Sequence, residues 1–305
     1  MINGLIVIDK PAGITSHDVV SRLRRLFGTR RVGHTGTLDP FATGVLPVAV
    51  NDGTKVIPYL DEGIKGYDAL MRLGVATDTL DITGQILQER DCDRIDLPAL
   101  QSVLRQFMGR IDQIPPMYSA IKRDGQPLYK LARQGYDVER QPRSVEIFAL
   151  EVLSLQLPFV GLRVSCSRGT YVRSLADDIG RALGCGATLQ ELRRTASGPF
   201  RLQNAITLES LAEVVAAGTV DHLVVSPSMA LGHLLEIPLL DAGVRHIGYG
   251  RSPEWHDTQH GVAPEVTTPC LARLTRDGEL LAVAELKPAG TGVVRLVLKR
   301  VFAAV

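Results

Sequence analysis

Apolar and polar positions along the first half of the chain change period several times, and each change predicts an element. Gly4-Leu5-Ile6-Val7-Ile8-Asp9 is a short apolar run that reads as a buried strand ending in the turn Lys10-Pro11-Ala12-Gly13. Thr15 or Ser16 can cap a helix from His17 to about Phe27, with Val19, Val20, Leu23 and Phe27 on one side and Gly28 as its stop. From Arg31 to Pro47 no period is visible, and Gly and Pro punctuate what reads as a loop. Lys65 to Leu73 alternates: Tyr67, Ala69, Met71 and Leu73 share one strand face. Asp96 and Pro98 open a second helix, whose stripe is Leu100, Val103, Leu104, Phe107 and Met108 and which Gly109 closes.

The second half continues in the same manner. Arg110 to Arg143 is rich in Pro, Gly and basic residues, with one helical fragment expected at Leu128 to Gln134. Val145 to Leu157 and Gly161 to Ser167 read as a strand hairpin. A third helix is predicted from Tyr171 to Leu183, with Gly184 as its stop. Leu189 to Arg194 and Leu208 to Ala216 are further helical candidates. Beyond about Leu235 the texture turns to short strands, at Leu271 to Leu274, Leu280 to Leu286 and Val293 to Phe302, which predicts a small β-rich domain.

Composition adds limits. The 305 residues, 45% hydrophobic and 22% charged, suit two globular domains, or one large domain with a smaller one. No apolar stretch approaches the roughly 18 residues of a membrane span. The N-terminus shows no basic region before an apolar run, so no secretory signal is expected. The four cysteines, Cys92, Cys166, Cys185 and Cys270, have no C-x-x-C spacing, which argues against a zinc site or a disulfide framework and fits a reducing cytoplasm. No metal site is expected: His256 and His260 form the one H-x-x-x-H pair, in an unhelical stretch. The net charge of +1 conceals basic segments at 1–60, 105–143 and 161–203 separated by acidic ones. Three basic segments could converge on one face and attract a phosphate backbone, although a mixed-sign solvated surface is the plainer reading of charge alone.

The candidate chemistry lies in Gly33-His34-Thr35-Gly36-Thr37-Leu38-Asp39-Pro40-Phe41-Ala42-Thr43-Gly44-Val45-Leu46-Pro47. Glycines, prolines and threonines surround one acid, and Asp39 before Pro40 is held extended. A loop built of such small residues lets a ligand approach its backbone closely. Taken alone, an Asp-Pro is more simply a turn aspartate bonded to its own backbone.

Five separated blocks alter that reading. They are Gly4 to Ser16; the loop just quoted; Lys65-Gly66-Tyr67 with Leu73-Gly74 and Thr77-Asp78-Thr79-Leu80-Asp81; Gln113-Ile114-Pro115-Pro116-Met117-Tyr118-Ser119-Ala120; and Cys166 to Gly180, continuing into Leu192-Arg193-Arg194-Thr195. In this order, over about residues 4–200, the chain resembles the bacterial tRNA pseudouridine synthases of the TruB type, which modify uridine 55 of the T loop. One departure is Asn51-Asp52-Gly53-Thr54-Lys55, outside the catalytic block.

The resemblance implies an α+β fold: a mixed, mainly antiparallel sheet flanked by helices, with a small C-terminal β-rich, PUA-like domain. It implies a catalytic domain at 1–234, an RNA-binding insertion at about 110–143 that closes over RNA and is mobile without it, and a PUA-like RNA-binding domain at 235–305. Asp39 is then the catalytic aspartate, Arg173 its partner, and Tyr67 the active-site tyrosine that stacks on the flipped base. Without the resemblance, Tyr67 would be a core aromatic and Arg173 one half of a surface pair with Asp177 at i+4. His34 is expected to enter the RNA, Leu192 to pack on the base, and Lys10, Gly36 and Thr37 to join the substrate-contacting set. Lys10, with Pro11, is also expected to brace the loop that holds Tyr67. The reaction is redox-neutral, so no cofactor is implied. The expected partner is the tRNA T stem-loop, bound in the cytoplasm by a monomer without membrane, obligatory protein or guide RNA. Three alternatives remain: an RNA-folding protein without catalysis, which the presence of Asp39, Tyr67 and Arg173 opposes; a guide-dependent relative, which would carry longer basic tails; and an aspartate-nucleophile hydrolase, which would need a second acid or a metal.

Overall fold

The computed structural model describes residues 2–61, 63–123, 125–290 and 293–302. Its strands and helices, in chain order, are β1 (Gly4–Lys10), α1 (Ser16–Leu26), β2 (Val32–His34), β3 (Thr43–Val50), β4 (Ile64–Leu73), β5 (Val75–Thr77), β6 (Ile86–Glu89), α2 (Leu97–Gln106), β7 (Gly109–Gln113), β8 (Lys122–Arg123), β9 (Gln126–Pro127) and α3 (Leu128–Arg133). Then follow β10 (Arg143–Gln156), β11 (Phe159–Ser167), α4 (Val172–Ala182), β12 (Ala187–Ser197), β13 (Phe200–Arg201), α5 (Leu208–Ala216), α6 (Pro227–Ala230), β14 (Leu235–Pro238), α7 (Asp241–Gly248), β15 (Cys270–Arg276), β16 (Glu279–Pro288) and β17 (Val294–Val301).

The large sheet has the order β1-β3-β12-β4-β11-β10-β7, with β2 added to β3 and β13 to β12. Its pairings are antiparallel except β3 with β12, so the sheet is mixed and mainly antiparallel as expected. The two sides of β1 and β3 have different partners. Ile6, Ile8, Leu46 and Val48 pack under α1, α2, α4 and α5 in the main core. Leu5, Val7, Val45 and Ala49 meet Leu280, Val283 and Phe302 of the C-terminal part. There β14-β15-β16-β17 form a separate four-stranded sheet, which α7 covers with Ile247.

Two readings of the sequence are corrected. Leu189–Arg194 is not helical; it belongs to β12, a strand near the middle of the sheet. The register of β12 against β4 shifts between Leu189 and Glu191 and again between Arg194 and Ala196. Such irregularities break strict alternation and leave leucines at i and i+3, a spacing that imitates a helix. Pairing with strands on both sides then overrides local propensity.

The second correction is to the periodless stretch from Arg31, which contains β2 and most of β3. Seven of the eight β3 residues are buried, so both faces are apolar and no period of two can appear. Pro47 is tolerated within it because its carbonyl accepts from the Thr35 N–H (3.1 Å), on the edge beyond the end of β2. In an extended strand the nitrogen faces the same edge as the carbonyl, so no bond to β1 is lost.

The other predicted elements lie where the periodicity placed them. Thr15 rather than Ser16 is the α1 cap, in a reciprocal capping box with Asp18. Gly28 and Gly184 directly follow the C-caps of α1 and α4 at positive φ, the left-handed geometry that stops a helix, whereas Gly109, also at positive φ, opens β7 two residues after the C-cap of α2.

Candidate active site

Asp39 sits on the loop between β2 and β3, and buried polar groups hold that loop on several sides. Ser16, at the start of α1, accepts from the Leu38 N–H (2.8 Å) and donates to the Leu38 carbonyl (3.1 Å). The Lys10 ammonium donates to the carbonyls of Pro11 (2.8 Å), Ile14 (2.8 Å) and Pro40 (3.3 Å). Lys10 therefore braces the Asp39 loop, not the segment carrying Tyr67. Burial pushes its amine down to about 8, with Asp39 opposing that shift.

Arg194 holds the same loop from β12. Its guanidinium donates to the carbonyls of Val45 (2.7 Å), Gly36 (3.1 Å) and Thr37 (3.3 Å). The approach is close enough that a Cβ on Gly44, which has a φ of +101°, would collide with the Arg194 carbonyl. Gly44 is therefore required both for its backbone conformation and for the contact of β3 with β12.

Arg173, the second residue of α4, is 4% exposed at its side chain and lies between two acids. Its Nε is 2.9 Å from Asp39 Oδ2 and its Nη1 3.4 Å from Asp81 Oδ2. The remaining donors bond to the carbonyls of Thr79 (2.8 Å) and Tyr118 (2.8 Å). The i+4 pairing with Asp177 is absent; Asp177 instead meets Arg181 at 2.8 Å. Thus Arg173 points into the protein and is committed to Asp39. A buried guanidinium with this many partners is well compensated.

These groups surround a cavity of about 460 Å³ lined by His34, Gly36, Thr37, Asp39, Tyr67, Arg173 and Leu192, seven of the eight residues singled out in the sequence. Lys10 stands behind the loop rather than in the lining. The cavity also takes Lys65, Ser119, Ala120, Arg168, Tyr171 and Arg194. Among the described residues Asp39 is its sole acid, against Lys65, Arg168, Arg173 and Arg194, which suits a polyanionic ligand. β4 supplies Tyr67 and β12 supplies Leu192, on strands that pair with each other. His34 ends β2 at the rim.

Burial dominates the ionisation of the site. The Asp39 carboxyl is raised above its ordinary value by desolvation, more than Arg173 and Lys10 lower it, and Asp81 adds to the rise. The phenols of Tyr67 and Tyr171 are also raised by burial, and Arg194 opposes the rise at Tyr67 through charge and a hydrogen bond. Among the described residues, no group of three or more His, Cys, Asp or Glu side chains is arranged to hold a metal ion.

Sequence reasoning gave no role to Arg194, Asp81, Ser16 or Lys65. Arg194 and Asp81 lay within quoted blocks, Ser16 was weighed only as a cap, and Lys65 donates to Ser197 Oγ at 2.7 Å across β4 and β12. A polar residue at a core-facing strand position was the available signal: Lys65 shares the buried face of Tyr67, Ala69 and Met71.

A family model described as the TruB family pseudouridylate synthase N-terminal domain matches residues 24–172, and one described as the tRNA pseudouridylate synthase B C-terminal domain matches residues 173–234. The chain is 53% identical over 284 residues to the tRNA pseudouridine synthase B of Geobacter sulfurreducens, covering 93% of each. It is 43% identical over 293 residues to that of Pseudomonas fluorescens, covering 95% of this chain and 93% of the relative. A solved Cbf5-Nop10-Gar1 complex contains a chain with TM-score 0.75 and 29% identity, covering 98% of this chain and 85% of that one. The chain belongs to the TruB family of pseudouridylate synthases: it is a tRNA pseudouridine synthase, an isomerase that converts uridine in tRNA to pseudouridine. Among the described residues no helix is long and apolar enough to cross a membrane.

Proposed function

We propose that this enzyme isomerises uridine 55 in the tRNA T loop, that it flips the target nucleotide into the cavity beside Asp39, and that Asp39 is the nucleophile. The observation that carries the proposal is the Asp39–Arg173 pair, at 2.9 Å, in the wall of a cavity shared with Tyr67 and Leu192. A stacked base cannot reach a carboxylate so placed, and extrusion costs a few kcal/mol, offset by stacking and phosphate contacts. The Asp39 carboxylate attacks C1′, and the N1–C1′ bond breaks with its electron pair going to the base. The base turns between Tyr67 and Leu192, C5 bonds to C1′, and the carboxylate leaves. Loss of the C5 proton and protonation of N1 complete an isomerisation that needs neither oxidant nor cofactor. Arg173 holds the carboxylate in line and favours its ionised form against the burial that opposes it.

Residues 1–234 are assigned to catalysis, with the insertion at about 110–143 closing over the T stem-loop, and residues 235–305 to further RNA contact. His34 enters the RNA at the cavity rim, while Gly36 and Thr37 touch the substrate backbone. Lys10 acts by bracing the Asp39 loop beneath the substrate. The enzyme works as a monomer in the cytoplasm, without guide RNA.

The test is tritium release from a T-stem-loop transcript with 5-tritiated uridine at position 55 alone. Wild type is expected to release tritium stoichiometrically, and Asp39→Asn to bind the transcript as tightly while releasing none. Turnover by Asp39→Asn, or no tritium release from this position by wild type, refutes the assignment.

A further inference from the structure

From the end of β7, residues 113–118 run along the first turn of α4, and four hydrogen bonds join the two segments. Gln113 Oε1 accepts from the Tyr171 N–H (2.8 Å), and Gln113 Nε2 donates to the Tyr171 carbonyl (3.1 Å). Ser174 Oγ donates to the Ile114 carbonyl (3.1 Å), and Arg173 Nη2 to the Tyr118 carbonyl (2.8 Å). Gln113 is 2% exposed. Its backbone stands opposite Arg143, so it occupies the root at which the insertion leaves and rejoins the sheet. Tyr171 precedes α4 as its cap residue, yet its side chain makes no capping bond. A side-chain amide that satisfies both the donor and the acceptor of one backbone residue fixes its position and its orientation together. Pro115 and Pro116, both buried, stiffen the path from Gln113 to Tyr118.

We propose that Gln113 is a positioning residue for the reaction: through the Tyr171 backbone it ties the root of the insertion to the helical turn that carries Arg173, so that this tie holds the guanidinium against Asp39. The inference rests on the roles given above to Asp39 and Arg173. Its physical basis is that a shift of about 1 Å in a group that orients a reactant can cost on the order of a hundredfold in rate. Gln113 touches neither the cavity nor the carboxylate, and its whole effect passes through two backbone bonds. The charged groups that act on Asp39 are Arg173 from α4, Asp81 from the turn after β5 and Lys10 from the end of β1.

The experiment compares wild type with Gln113→Met, which keeps the length and removes both bonds, and Gln113→Asn, whose shorter amide can keep one. Both kcat and KM for the T-stem-loop transcript are measured across the acid limb of the pH profile, and the folded fraction is measured in parallel by urea titration. Gln113→Met is expected to lower kcat by about tenfold or more with KM within about twofold, because orientation is lost and binding is kept. Its acid limb is expected to move to higher pH, because a displaced guanidinium opposes the protonation of Asp39 less. Gln113→Asn should lie between wild type and Gln113→Met on both readouts. A kcat within twofold of wild type overturns the proposal. So does a loss that is uniform across pH and matches a reduced folded fraction, since that is what a structural role alone produces. Should Gln113→Met fail to fold, Gln113→Asn decides by the same criteria. Asp39→Asn is assayed alongside: turnover by that variant removes the assignment beneath the inference, whereas its inactivity beside wild-type behaviour of the Gln113 variants removes the inference alone.

Discussion

On the sheet side of the cavity, two buried cations each grip three backbone carbonyls: Arg194 those of Gly36, Thr37 and Val45, and Lys10 those of Pro11, Ile14 and Pro40. Elsewhere in the lining, Ser119 and Ala120 come from the insertion, whose described residues after β7 form two two-residue strands and a six-residue helix and whose Lys122, Arg123, Lys130 and Tyr136 are exposed. The first wall is fixed by bonds between segments distant in sequence and carries Asp39 and Tyr67. The second has few buried apolar groups, so its local opening should cost little. Under the function proposed above, the difference matches two demands: the reacting carboxylate must be fixed before the substrate arrives, and the surface that covers the RNA must be able to adapt.

The sharpest way to break this comparison is to remove a cation from the fixed wall. Arg194→Met removes the donor that three carbonyls share, and the shorter apolar side chain offers them no polar atom in its place. At about 1–3 kcal/mol for each unsatisfied buried group, partly recovered by relaxation, the variant should lose roughly 3 kcal/mol or more of stability and lose turnover with it. The shift in urea midpoint measures this. A loss under about 1 kcal/mol would mean that the loop holds itself and that Arg194 is not its anchor.

The converse test acts on the adaptable wall. Replacing Lys122, Arg123 and Lys130 together by Gln should move the urea midpoint hardly at all, since exposed substitutions fall within about 0.5 kcal/mol. Affinity for the T stem-loop should fall by about tenfold at moderate salt, with a salt dependence shallower by roughly two to three counterions. Fluorescence titration at several salt concentrations reads both. Unchanged affinity would detach the insertion from RNA binding and leave the comparison with one functional wall.

How much of each wall was legible in the sequence follows from the same contrast. The elements with one buried face announced themselves: β4 by alternation, and α1, α2 and α4 by their stripes, caps and terminal glycines. The elements buried on both faces did not. β3 lost its period because nearly every residue is inside, and the irregular register of β12 imitated a helix. Tyr67, Asp39 and Arg173 could be named because they lay in blocks that the family resemblance covers, yet residue pattern alone favoured a surface pair for Arg173. The role of Arg194, and which loop Lys10 braces, were hidden for a physical reason. Their partners are backbone carbonyls, which no residue type advertises, and the contacts span 30 to 158 positions of sequence in the bonds to Pro40, Val45, Thr37 and Gly36.

The smallest expected effect concerns the acid that shares Arg173. Asp81 is buried, and its Oδ1 accepts from Thr79 Oγ1 (2.8 Å) and the Thr83 N–H (3.0 Å), bonds that an amide oxygen can accept equally well. Asp81→Asn therefore removes a charge while leaving the turn intact. The sign is fixed by the two effects of that charge. Asp81 repels a negative Asp39 and so raises its carboxyl, and it also takes a share of the Arg173 guanidinium that lowers it. Both effects disappear in the variant, so protonation of Asp39 requires a lower pH. In wild type, kcat should fall as pH drops through a value above the ordinary carboxylate range of about 4, because burial outweighs Arg173. In Asp81→Asn that limb should move to lower pH, with the plateau rate little changed. A limb that moves up, with a reduced plateau, would mean that the charge of Asp81 serves chiefly to hold Arg173 in place, and the fixed wall would then extend across the cavity to α4.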